Sequence, residues 1–243
     1  MPEWTTRPWE QHPKSLMDQL IDVALFLPSL LARADEIQLE APTTGRRDQA
    51  KDLLQSCLAL GRQFDQWLVV AIPGTVSQPV NYWPQDPDAT SMLPFAFAWA
   101  FKDGATGMMF LYFWMTQILL YRCITTVHAA LFAPVIDVYQ DVWPPLLPPS
   151  LQQMDLSRYQ QTRELGANIC QGLDAALAAT GQPDLLLGPL RVATDLYREI
   201  NSASHDVLLE VMWLEGFGER IRAKGQDVTE TLQRQPWLEV GRV

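Results

Sequence analysis

No stretch limits the fold of this chain more than Asp103 to Ala133, a run of almost uninterrupted apolar residues. Side chains in a helix recur about every 3.6 residues. A helix over this stretch therefore places Trp114, Gln117, Tyr121, Thr125 and His128 on one narrow face. Hydrogen-bonding groups on so apolar a helix must meet partners or a ligand, because burying them unpaired costs free energy. The helix is expected to form the wall of a lined cavity, with Phe110 part of the apolar lining.

Residues 107–125 are also long enough for a membrane span. Gln117, Arg122, Thr116 and Thr125 weigh against one, since polar and charged groups are costly in a bilayer core. A buried central helix is the preferred reading. The chain has 243 residues, 48% of them apolar, enough for a substantial core and compatible with one large helical domain. Its net charge of -10 argues against direct nucleic-acid binding, which needs a basic patch to displace counterions. It also argues against an acidic membrane surface. Cys57, Cys123 and Cys170 are odd in number, far apart in sequence, and lack zinc-site spacing. Each falls in an apolar helical pattern, where a thiol acts as a small hydrophobe; this points to a reducing compartment.

The rest of the chain reads as amphipathic helices separated by Pro and Gly. Residues 1–14 are an arm without the apolar core of a signal peptide. Residues 15–39 form a helix that Pro28 kinks or splits, and residues 46–72 form a second. A Pro-rich connection covers 73–94, with the aromatic patch Asn81-Tyr82-Trp83-Pro84 placed to cap the core. Phe95 to Phe101 leads into the long helix. A second Pro-rich connection covers 134–150; within it, Asp137 and Asp141 are assigned to a solvated helical face. Helices are expected over 155–179, 185–202 and 205–224, with Gly225 ending the last and a short turn following at 229–237. The expected fold is all-α: a bundle of long antiparallel helices around one central buried helix.

Familiar chemical signatures are absent. There is no phosphate loop or dinucleotide fingerprint, no nucleophile elbow, and His12, His128 and His205 are too scattered to pair on a metal. Neither a metal nor a cofactor is expected. What remains is acid, base and shape. His128 titrates near neutrality and suits proton transfer. Gln117 suits a ligand carbonyl or hydroxyl. Asp103 suits either a base at the cavity rim or an N-cap. Trp114, Tyr121, Thr125 and Phe110 would hold the substrate. Each also has a structural alternative: core packing, an interhelical hydrogen bond, or a cap.

Several segments together resemble a known family. They are Pro2-Glu3-Trp4, Pro8-Trp9-Glu10 and Pro13-Lys14-Ser15, then Leu27-Pro28-Ser29-Leu30-Leu31, Asn81-Tyr82-Trp83-Pro84, and residues 95–103 and 111–124. Residues 185–199, with Pro189-Leu190-Arg191-Val192-Ala193, and Trp213-Leu214-Glu215 through Arg222-Ala223-Lys224 complete the set. In this order they resemble the C-terminal part of the regulatory domain behind the zinc-binuclear-cluster motif of fungal transcription factors. The resemblance implies an all-helical regulator of transcription, often of secondary-metabolite genes, and brings no catalytic residues. The six-cysteine cluster, its basic linker and the N-terminal part of the regulatory domain are missing, so the chain is either a segment of a longer protein or a short gene product of its own.

Two functions are expected from this reading. In the first, a freestanding protein binds a fungal secondary-metabolite intermediate and promotes a metal-free, non-redox cyclisation or isomerisation. Orientation lowers the barrier, His128 moves a proton and Gln117 stabilises charge on oxygen. In the second, the chain is a regulatory or partner-binding module without its own DNA-binding domain. The expected partner is a small-molecule metabolite, with a homodimer possible; the location is cytoplasmic, or nuclear for the regulator.

Overall fold

The computed structural model describes residues 9, 12–72, 81–88, 90–137, 151 and 154–234, with side chains to 227. The fold is all-α, with one two-stranded antiparallel pair among the described residues. The chain divides into two compact units. Unit 1 holds residues 1–81 and 113–165; unit 2 holds residues 82–112 and 166–243. Most of the N-terminal arm and the span 138–150, Asp141 included, lie outside the described residues; of the turn expected at 229–237, residues 229–234 instead continue the last helix and the rest lies outside.

In unit 1, α1 (Leu16–Ala24) opens with a capping box: Asp18 N–H donates to Ser15 Oγ, and Ser15 N–H donates to the Asp18 carboxylate. The expected split occurs, with α2 (Leu27–Leu39) carrying Pro28 in its first turn, where Pro is tolerated. α3 (Thr44–Ala71) starts on the Thr43 hydroxyl, which accepts from Arg46 N–H. Asp137 is not on a solvated helical face: its carboxylate accepts from Thr44 N–H at 3.0 Å and from the Thr44 hydroxyl at 2.7 Å. It thereby meets the positive end of the α3 dipole.

The expected central helix is α4 (Gly104–Leu131), which stops shortly before Pro134. Its most apolar window is 78% buried inside the protein. Residues 113–131 belong to unit 1, where Ile118, Leu120, Ile124, Val127 and Leu131 are buried with Leu53, Leu54, Leu60 and Phe64 of α3. Phe113 stacks on Trp67 with ring centroids 5.0 Å apart, and the Trp67 indole N–H donates to the Leu16 carbonyl at 2.8 Å. The short helix α5 (Ser157–Gln160) and the first residues of α6 (Thr162–Ala179) complete unit 1.

Unit 2 corrects one expectation: residues 73–94 are not a plain connection. Tyr82–Gln85 is a strand, β1, paired antiparallel with β2 (Ala98–Phe101) in the register Tyr82↔Phe101 and Gln85↔Ala98. Of the aromatic patch only Tyr82 meets the core, its ring 4.7 Å from Phe110 and 5.0 Å from Trp99, while Trp83 is exposed. β2 packs on α6 so closely that a Cβ at Gly172 would lie 2.9 Å from Phe101 Cζ. Any larger residue there would have to push the Phe101 ring and Leu111 aside.

After a 3₁₀ turn (Pro183–Leu186), α7 (Leu187–Ser204) ends at His205, which takes the left-handed conformation at φ 57°. His205 thus closes one helix rather than opening the next; its N–H caps the Asn201 carbonyl at 3.0 Å. α8 (Leu208–Arg234) does not stop at Gly225 but runs through it. A glycine inside a helix costs only about 1 kcal/mol, and burial of Val211, Leu214, Phe217 and Ile221 outweighs it. Lys224 of α8 donates to the Leu177 and Ala178 carbonyls at 2.5 and 3.1 Å, satisfying the C-terminal end of α6.

Candidate functional site

Five of the expected residues lie on the unit 1 part of α4. Trp114, Gln117 and Tyr121 are buried; Thr125 and His128 are half-buried. The Thr125 hydroxyl donates to the Arg122 carbonyl at 2.9 Å, and the neighbouring Thr116 donates to Phe113 at 2.8 Å. Both hydroxyls are used within the helix. The Tyr121 hydroxyl accepts from Arg158 Nε at 3.1 Å, and Arg158 is ion-paired to Asp65. The Asp65 carboxylate beside it holds the Arg158 guanidinium firmly charged. Tyr159 packs edge-on against Tyr121 with centroids 5.2 Å apart.

His128 stacks on Phe132, ring centroids 4.5 Å apart, and burial lowers its pKa from the usual imidazole value. It is therefore neutral near neutrality. Gln117 is 2% exposed, and its Nε2 has no hydrogen-bond partner among the described residues. Gln117 and His128 sit three turns apart, about 16 Å along the axis at the helical rise. They cannot act on one reacting atom, since general acid–base partners must reach the same proton.

Asp103 and Phe110 belong to unit 2. The Asp103 carboxylate accepts from Thr106 N–H at 2.7 Å at the start of α4, and that bond holds its carboxyl below the usual range. This is N-cap geometry. Phe110 is fully buried against Tyr82.

The open concavity in unit 2 is elsewhere. It is a trench of about 520 Å³ between the turn at residues 90–94 and α8. α8 supplies Leu209, Met212, Trp213, Gly216, Phe217 and Arg220, spaced three and four apart as one helical face requires. The turn supplies Met92 and Pro94. Two hydrogen bonds from Thr90 to Asp88 fix the turn, and Trp213 Nε1 donates to the Ser91 carbonyl at 2.8 Å. Trp213 and Phe217 form an aromatic floor with centroids 5.1 Å apart. At Gly216 an added Cβ would meet nothing within 4 Å, so the missing side chain opens the trench.

Arg220 closes one end. Its guanidinium lies over the Phe217 ring at 4.7 Å and pairs with Asp174 at 2.5 Å. Met92, at φ 50°, is 84% exposed and Met212 61%. Large exposed apolar side chains grouped in this way mark binding surfaces. The sequence reading of 205–224 as a helix did not single out this face. The available signal was an excess of apolar residues on α8: Val211, Leu214, Phe217 and Ile221 fill its buried face, leaving Leu208, Leu209 and Met212 outside.

No family model, curated protein or solved structure matches the chain. Among the described residues no group of three or more His, Cys, Asp or Glu is placed to hold a metal ion.

Proposed function

We propose that this chain is a small-molecule-binding helical module that regulates or docks to another protein, with the trench of unit 2 as its receptor site. The trench carries the reading: its volume of about 520 Å³ falls within the range of small-molecule sites. Its walls are thioether, indole and phenyl groups, which fit an apolar or aromatic body. The Arg220 charge is already met by Asp174 and also acts on Asp88, so a neutral ligand suits the site better than a carboxylate. The resemblance to fungal regulatory domains supports a role in transcription of secondary-metabolite genes, with a metabolite as the signal. The net charge of -10 argues against direct DNA contact by this chain. The nucleus is the corresponding location.

A panel of neutral apolar compounds and carboxylates of matched size tests the reading by thermal shift. Neutral compounds should raise Tm, because a ligand that binds only the folded state stabilises it. Gly216→Leu, which fills the trench, should remove the effect. Equal shifts in the variant would place binding elsewhere.

A second reading has one observation in its favour. The unpartnered buried Nε2 of Gln117 is a donor suited to a ligand oxygen, as a freestanding cyclase or isomerase of a secondary-metabolite intermediate would need. Under that reading His128→Ala abolishes turnover without loss of helical signal; under the receptor reading His128→Ala leaves ligand binding intact.

A further inference from the structure

Cys57 on α3 and Cys123 on α4 are 66 residues apart in sequence, yet their sulfurs lie 3.7 Å apart in the core of unit 1. Both are free thiols, 0% and 4% exposed. We propose that Cys57 and Cys123 are a peroxide-oxidisable pair that closes to a disulfide and locks α3 to α4. A sulfur–sulfur bond is about 2.05 Å long, so the two sulfurs, 3.7 Å apart, need to approach by less than about 2 Å more.

The surroundings set the order of events. The Leu30 carbonyl of α2 lies 3.8 Å from Cys123 Sγ. With the Cys57 S–H as the donor in this contact, Cys57 is pushed up and Cys123 drawn down. In that arrangement Cys123 is the first to reach the thiolate, the nucleophilic form. Its sulfur attacks hydrogen peroxide, an oxidant small enough to enter a packed interior during local opening. The O–O bond breaks, an S–O bond forms, and hydroxide leaves. The Cys57 sulfur then attacks the sulfenic sulfur; the S–S bond forms, the S–O bond breaks, and the Cys57 proton leaves with the oxygen as water. In total two thiols and one peroxide give one disulfide and two waters, with two electrons passing from sulfur to oxygen.

Cys170 is the internal control. It is fully buried on α6 in unit 2, and burial pushes its thiol up. Met92 and Met212 are exposed and report the dose as sulfoxides.

The test treats the reduced full chain with hydrogen peroxide, alkylates it in denaturant, and maps it by tryptic mass spectrometry. The thiol count should fall from three to one, with Cys170 surviving. The peptides 52–62 and 123–158 should appear joined, be released by dithiothreitol, and accompany a higher urea midpoint, because the crosslink restricts the unfolded chain. In Cys57→Ser, Cys123 should stop at a sulfenic acid trapped by dimedone. The proposal is overturned if Met92 and Met212 are oxidised while three thiols remain. It is equally overturned if Cys57 and Cys123 go to separate sulfinic acids, or if Cys170 is consumed alongside them. The wild-type count decides even if the variant fails to fold.

Discussion

The amide nitrogen of Gln117 sits in the core of unit 1 with no acceptor among the described residues, and an unpaired buried donor costs about 1–3 kcal/mol. Gln117→Met keeps the length of the side chain and removes the donor. It should raise stability by about 1 kcal/mol, read as a shift in the urea midpoint at constant slope. A loss of stability would show that the amide has a partner. His128 gives a pH-dependent counterpart. Burial lowers its folded pKa below 6.5, so the unfolded state binds the proton more readily. Stability therefore rises with pH through the window below 6.5 and is lost as pH falls through it. His128→Phe should flatten that slope in urea titrations taken from neutrality down to acid pH. An unchanged slope would mean another group carries it. The chemistry attributed to α4 weakens for the same reasons: Thr116 and Thr125 spend their hydroxyls within the helix and the Tyr121 hydroxyl accepts from the distant Arg158, and a periodic pattern reveals neither kind of bond.

At the scale of elements, Asp103→Ala should cost about 1 kcal/mol by removing the N-cap of α4, measured by thermal unfolding; no change would deny the carboxylate that role. Gly216→Ala should act in the opposite direction. Its new methyl meets nothing within 4 Å, and Ala is favoured over Gly inside a helix by up to about 1 kcal/mol. The variant should be more stable and bind trench ligands more weakly. The helices were legible in the sequence because their apolar faces repeat over many turns, and Pro28 marks the break between α1 and α2; the Thr43 cap, which starts α3 two residues before the expected Arg46, was not read. β1 was not, because four residues including Pro84 carry no usable period and only pairing with β2 makes them a strand. The end of α8 was misplaced at Gly225, since tertiary burial outweighs the helix penalty of one glycine. His205 was misassigned because αL geometry depends on the backbone rather than on the residue type.

At the scale of the molecule, the all-α class followed from the long periodic segments and the scarcity of period-two runs. The partition into two units did not, because α4 and α6 each pass through both and no Gly- or Pro-rich linker lies within them. Long-range encounters were illegible for a similar reason. Cys57 meets Cys123, Asp65 meets Arg158, and Met92 faces Met212 across the trench, each pair joined only once the helices pack. The trench carries the functional reading, and methyl NMR with Met, Ile and Val labelled reads it directly. Titration of a neutral apolar compound that raises Tm should shift the Met92 and Met212 methyl signals and leave those of buried Met108 and Met109 unchanged. Perturbations at Ile118, Ile124 and Val127, around Gln117 and His128, with Met92 and Met212 unmoved, would contradict the account and return the case to chemistry on α4.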